Sequence, residues 1–196
     1  MNYTIIRNLV MATSLAITCT APYAWGEKQR SGADFDRTSS KANHFAPGTS
    51  YILCFVPDGP KCEVILIEAI NGTQTSLLVQ AYSFTSTPIA KAIENAKARG
   101  VDVRVIVDKS QVSDRYSIAT FLRNSGIPVV VDSRPAIAHN KVMIFDSEAV
   151  FTGSFNFTKS AQSRNAENGI IIRGDSALTK AYFDNWLTRF NQSTPY

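Results

Sequence analysis

An α/β fold, a sandwich whose mixed and mostly parallel central sheet is flanked by helices, is predicted by this 196-residue sequence. Strand-like and helix-like runs alternate from Ser50 onward. Twice a strand leads through a helix that stops at a glycine, Gly100 or Gly126, into a β-branched run, and a helical crossover joins parallel strands. The run Val142-Met143-Ile144-Phe145 has no polar face, as a strand buried on both sides requires.

Two pieces precede that domain. Arg7 is the only charge before Glu27, and Leu9 to Ala21 is continuously apolar or small, the pattern of a secretory signal peptide. The run is shorter than the roughly 20 apolar residues that span a bilayer. Cleavage near Ala24-Trp25-Gly26 is therefore expected, with no stable membrane insertion afterwards and a periplasmic or secreted destination. Residues 1–26 are assigned to the signal, the polar stretch 27–48 to a flexible leader, and 49–196 to a single domain.

Within the domain, Cys54 and Cys62 flank Pro57-Asp58-Gly59, which is turn chemistry, and two thiols across a turn in an exported protein suggest a disulfide. Residues 63–70, Glu-Val-Ile-Leu-Ile-Glu-Ala-Ile, fit either a strand or a buried helix. Leu77 to Phe84 reads as a strand. Thr87 is expected to cap a helix that begins at Pro88 and runs to Arg99, followed by the strand Val101 to Val107. A helix near 117–124, strands at 127–131, 140–145, 149–152 and 169–173, and a last helix over 176–191 complete the series.

The net charge of +4 is too small to identify a partner. Its distribution says more: residues 109–173 hold eight Lys/Arg against five Asp/Glu. The same span carries the chemistry. His139, Lys141 and Asp146 form His-x-Lys-x4-Asp, and Gly153, Ser154 and Asn156 form Gly-Ser-x-Asn. Side chains alternate along a strand, so His139 and Lys141 point one way, as do Ser154 and Asn156. Such an arrangement presents a nucleophile, a cation and two hydrogen-bond donors towards one point. A neutral imidazole can attack phosphorus while Lys141, Asn156 and Ser154 hold the non-bridging oxygens. Asp146 falls out of phase with Lys141 and is cast as structural. Gly153 is expected to keep the backbone clear for a phosphate. Glu167, just before the run Gly169-Ile170-Ile171-Ile172, is either a carboxylate that orients an imidazole or an ordinary surface group. With two His and two Cys beyond the signal, few soft ligands exist for a catalytic zinc; no metal and no cofactor are expected.

At these residues the sequence resembles the phospholipase D superfamily, and among its members the small bacterial endonucleases that resist EDTA. Ala81-Tyr82-Ser83-Phe84-Thr85, Gly100-Val101-Asp102-Val103, Gly126-Ile127-Pro128 and Gly153-Ser154-Phe155-Asn156-Phe157-Thr158 carry the resemblance, which extends from Ser50 to Tyr196. It implies a phospholipase D-like catalytic domain in which His139 is covalently phosphorylated, Lys141 and Asn156 bind phosphate, and Glu167 braces a histidine. It also implies a helix over 63–70.

Phosphoryl transfer needs a nucleophile and a proton donor for the leaving oxygen, yet the chain holds one such motif. The other histidine beyond the signal, His44, lies in the polar leader. A homodimer with a shared active site is therefore expected, each copy supplying one His139. The expected substrate is nucleic acid, DNA or RNA, gripped by its backbone with Lys109, Arg115, Arg134, Lys159 and Arg164 as candidate contacts. Two other functions compete: a lipid phosphodiesterase, which the same chemistry would serve, and an inactive nucleic-acid-binding module. The completeness of the motif opposes the last.

Overall fold

The computed structural model describes residues 43–196. The expected signal peptide and residues 27–42 of the expected leader lie outside the described residues. The leader's end is not loose, however. The Ala46 amide donates to Asp175 Oδ2 at 3.0 Å, and Thr49 Oγ1 donates to the Ala46 carbonyl at 2.7 Å. Asp175 can do this because its other oxygen already caps a helix, accepting from Leu178 N at 2.9 Å. The last residues of the expected leader are thus hydrogen-bonded to the domain that begins at Thr49.

Eight strands form one sheet: β1 (Ser50–Val56), β2 (Ser76–Ala81), β3 (Asp102–Asp108), β4 (Val129–Asp132), β5 (Lys141–Phe145), β6 (Ala149–Gly153), β7 (Glu167–Arg173) and β8 (Thr194–Pro195), in the order β1-β7-β6-β5-β2-β3-β4-β8. The two pairs made through helical crossovers, β2 with β3 and β3 with β4, are parallel as expected. Every other pair is antiparallel. The sheet is mixed, but the expectation that it is mostly parallel holds only for those two pairs. Between β5 and β6 connection length forbids anything else: they are joined by residues 146–148, too few for a crossover.

Among the described residues, five α-helices cover the sheet unequally. On one face α1 (Cys62–Gly72), α2 (Thr87–Ala98), α3 (Ala119–Asn124) and α4 (Lys159–Ser163) bury Leu66, Ile70, Ile89, Ile93, Leu122 and Ala161 against Val79, Val105, Met143 and Phe151. Residues 63–70 are helical, because Cys62, Leu66 and Ile70 repeat at helical spacing and leave Glu63 and Glu68 outside the core. On the other face α5 (Ser176–Gln192) packs Trp186, with Leu178, Phe183, Leu187 and Phe190, over Leu78, Ile106, Val142, Ile144 and Val150. The Trp186 indole donates to Val79 O at 3.0 Å, so the buried ring keeps no orphan donor. Capping of α2 falls one residue earlier than expected: Ser86, not Thr87, accepts from Ile89 N. No described helix is long and apolar enough to cross a membrane.

Cys54 of β1 and Cys62 at the start of α1 form a disulfide, both buried. It lies against Gly169, where a Cβ would come within 2.9 Å of Cys54 Sγ and 2.5 Å of Phe151 Cε2.

Candidate active site

The ends of β2 and β6 and the starts of β5 and β7 meet at one edge of the sheet, as their registers require: Lys141 pairs with Ala81, and Gly153 with Gly169. The sequence-predicted residues His139, Lys141, Ser154, Asn156 and Glu167 all lie at this edge. His139 sits in the loop just before β5 and is exposed, whereas Lys141 is buried.

One residue not singled out for chemistry joins the two. The Tyr82 ring lies 4.4 Å from the His139 ring, centre to centre, and its centroid is 5.0 Å from Lys141 Nζ. Tyr82 therefore acts as a floor for both, restraining the imidazole by contact and holding the ammonium by its π face. Lys141 Nζ also donates to the His139 carbonyl at 3.1 Å. Burial of the ammonium pulls the Lys141 pKa below the ordinary lysine value, and the nearby Glu167 carboxylate only partly restores it.

Glu167 and Ser154 form a second unit. Ser154 Oγ donates to Glu167 Oε2 at 2.5 Å, accepts from Asn168 N at 3.0 Å, and Asn165 Nδ2 donates to Glu167 Oε1 at 2.8 Å. A hydroxyl has one proton, and here it is directed at Glu167. Ser154 is thus a brace in this arrangement rather than the phosphate-holding donor expected. The expected contact of Glu167 with an imidazole is likewise not made within the protomer: its hydrogen bonds come from Ser154 and Asn165.

Asn156 carries the other signature of a binding group. Its Oδ1 is buried and meets no donor among the described residues. That oxygen is an acceptor, and a phosphodiester has no proton to give it, so the end of the amide that could meet a phosphate oxygen is Nδ2.

Gly153 also meets a packing demand. A Cβ there would lie 2.4 Å from Asn168 O and 2.7 Å from Gly169 Cα, so the glycine lets β6 and β7 close together. The same two strands carry Ser154 and Glu167 to within a hydrogen bond of each other. Asp146 is structural, as cast. Its carboxylate accepts from Gln74 N at 3.0 Å, Thr75 N at 2.7 Å, Thr75 Oγ1 at 2.9 Å and Ser76 N at 3.0 Å, fastening the β5–β6 turn to the start of β2. Burial works against the ionised Asp146, but these bonds outweigh it and hold the pKa below the ordinary value. Asp146 also adopts φ 53°, a left-handed conformation that Asp tolerates better than most residues.

A second residue that sequence reasoning passed over is Asp108. Buried at the end of β3, it accepts from Ser110 N at 2.9 Å and Ala138 N at 2.7 Å, so it fixes the residue before His139. Burial is again outweighed by these bonds, and the pKa is lowered. The sequence signal was a lone acid closing the apolar strand Val105-Ile106-Val107-Asp108.

Among protein families, the model described as "Cardiolipin synthase, PLD-like domain" matches residues 66–190. A phospholipase D of Rickettsia conorii is 43% identical over 136 residues, covering 69% of this chain and 67% of that protein. The human mitochondrial cardiolipin hydrolase is 30% identical over 142 residues, 72% of this chain and 56% of its own length. The crystal structure of Nuc from Salmonella typhimurium, a phospholipase D family member, matches with a TM-score of 0.72 and 41% identity, over 76% of this chain and 98% of that one.

Proposed function

The chain belongs to the phospholipase D superfamily and is a phosphodiesterase, and we propose that it is a metal-independent endonuclease of low sequence specificity acting on DNA or RNA as an exported homodimer. The observation that carries the reading is the convergence of His139 and Lys141 on Tyr82, at the sheet edge where Asn156 also lies. A ring nitrogen of His139 attacks phosphorus, the P–O bond to the leaving oxygen breaks, and a phosphohistidine forms. Lys141 and Asn156 hold the non-bridging oxygens as charge develops. Water then attacks phosphorus, the N–P bond breaks, and the imidazole is released.

Polynucleotide is favoured over lipid by the basic groups on the loops beside His139: Lys109 and Arg115 after β3, and Arg134 after β4. Lys159 and Arg164 flank α4 and extend the same backbone-gripping charge. The lipid reading has its own support in the relatives named phospholipase D and cardiolipin hydrolase.

The dimer is supported by count and by surface. Each described chain offers one histidine at the site, and the exposed His44 lies away from it in sequence and support. The sheet face that α5 leaves bare shows Tyr51, Leu53 and Phe55 of β1, which are 66%, 39% and 49% exposed, beside Ile170 of β7. A two-fold partner would cover that face and supply the second His139 as acid for the leaving oxygen. Export is supported by the disulfide, which persists in oxidising compartments.

Purified protein and His139→Ala are incubated with plasmid DNA, RNA and phosphatidylcholine, each in excess EDTA. The expected result is cleavage of polynucleotide by the wild type alone. Hydrolysis confined to the lipid, or activity that EDTA abolishes, would refute the endonuclease reading.

A further inference from the structure

Beside the active site stands a ridge of exposed apolar groups that the catalytic residues do not use. Val112 and Tyr116, on the loop between β3 and α3, are 60% and 68% exposed, and Ile137, between β4 and β5, is 55% exposed. Lys109, Arg115 and Arg134 alternate with them, and the Arg115 guanidinium lies 5.4 Å from the Tyr116 ring centroid.

The ridge is held firmly. Tyr116 N donates to Asp114 Oδ1 at 2.8 Å and Ser117 N to Asp114 O at 3.0 Å, so the tyrosine rides a closed turn. On one side, Gln111 Oε1 accepts from Phe84 N at 3.1 Å and Ile118 N donates to Phe84 O at 3.0 Å. Phe84 lies two residues past the Tyr82 floor. On the other side, Lys109 Nζ donates to Pro135 O at 3.3 Å, and Asp108 takes the Ala138 amide next to His139. The loop bearing Tyr116 is thereby tied to both segments that carry the site.

An exposed aromatic ring on a tied-down turn, with a guanidinium on it, among cations and near a phosphodiester site, suits a flat electron-rich group joined to a phosphate. We infer that Tyr116 is a stacking platform for an unpaired base adjacent to the scissile phosphate, so that single-stranded polynucleotide is preferred over duplex. This rests on the nuclease reading above. Within a duplex both faces of a base are occupied by its neighbours, and only an unpaired base can offer one to Tyr116. Arg115 stiffens the ring from its side and contributes cation–π attraction, while Lys109 and Arg134 attract the backbone.

The test measures kcat and KM for wild type, Tyr116→Ala and Tyr116→Trp. The substrates are a single-stranded oligonucleotide, its duplex, single strands with an abasic position walked past the cleaved bond, and phosphatidylglycerol vesicles. Tyr116→Ala is expected to raise KM on single strands about tenfold more than on duplex, the scale of one base stack, and Tyr116→Trp to restore it. One abasic position should penalise the wild type by a similar factor and Tyr116→Ala by little. An equal effect on single strands and duplex, or an abasic penalty undiminished in Tyr116→Ala, overturns the platform and leaves the nuclease reading standing. A wild type that cuts no polynucleotide refutes both. A loss by Tyr116→Ala confined to phosphatidylglycerol vesicles assigns the ridge to a membrane surface and overturns the platform.

Discussion

Asp108 Oδ2 accepts the Ala138 amide at 2.7 Å, so the backbone that delivers His139 is set by a strand thirty positions upstream. Asp108→Ala is expected to lower kcat by one to two orders of magnitude, since displacement of a reacting group by about 1 Å costs on the order of a hundredfold. Asp108→Asn, which keeps an acceptor oxygen, should recover part of it. Single-turnover cleavage measured beside thermal unfolding checks the point: a rate loss no greater than the loss of folded protein would reject it.

Lys141 gives the pH dependence its sign. Burial lowers its pKa and Glu167 partly raises it, so the cation is lost on the alkaline side before an ordinary lysine would be, whose pKa is about 10.4. The alkaline limb of kcat/KM is expected below that value. Glu167→Gln removes the supporting charge and should move the limb further down in pH. A limb that moves upward, or stays in place, contradicts this.

Asp146 sets an acid limit on stability. Its pKa is lowered in the folded state, so its contribution is present above the unfolded value near 3.9 and is lost as pH falls through the folded value. Asp146→Asn keeps a residue that tolerates the left-handed turn but loses charge-assisted acceptance from three amides. It should cost about 1–3 kcal/mol at neutral pH and flatten the dependence on pH below 4. Urea titrations at several pH values are the measurement.

The disulfide closes a loop of sequence separation 8, for which the chain-entropy model gives about 2.5 kcal/mol. Cys54→Ser should lose roughly that stability and retain activity at moderate temperature. Two free thiols found by mass spectrometry of exported protein, without reductant, would remove the basis for this.

Mixed subunits distinguish a shared site from independent ones. If one His139 attacks and its partner's protonates the leaving oxygen, a wild-type chain paired with His139→Ala should be nearly as inactive as the doubly substituted dimer. Co-expression with two tags, purification of the mixed dimer and DNA cleavage in EDTA give the answer. Half the wild-type rate, or an active monomer in sedimentation, would return His44 to consideration.

The candidate set was legible because its members stand two residues apart at the start or just past the end of a strand: His139 with Lys141 at β5, and Ser154 with Asn156 after β6. The parallel half of the sheet was legible for a similar reason, its crossover helices being bounded by Pro88, Gly100 and Gly126. Tyr82 and Asp108 were not, because each owes its role to contacts across the sheet edge that no local pattern records. The packing demand on Gly153 was hidden on the same grounds: the group that needs its missing Cβ is Asn168 of a neighbouring strand. The reach of Ser154 for Glu167 likewise exists only once β6 and β7 have met.

Asp146 stands at the end of β5 opposite to Lys141, about 16 Å away at the rise of an extended strand. The acid and the base of one short sequence signature therefore answer to different demands. A descendant that abandoned hydrolysis could shed His139 and Lys141 freely, yet would still need the acid to pin its turn. In an unread genome, an aspartate at this spacing diagnoses an architecture. Only the histidine and lysine diagnose a reaction.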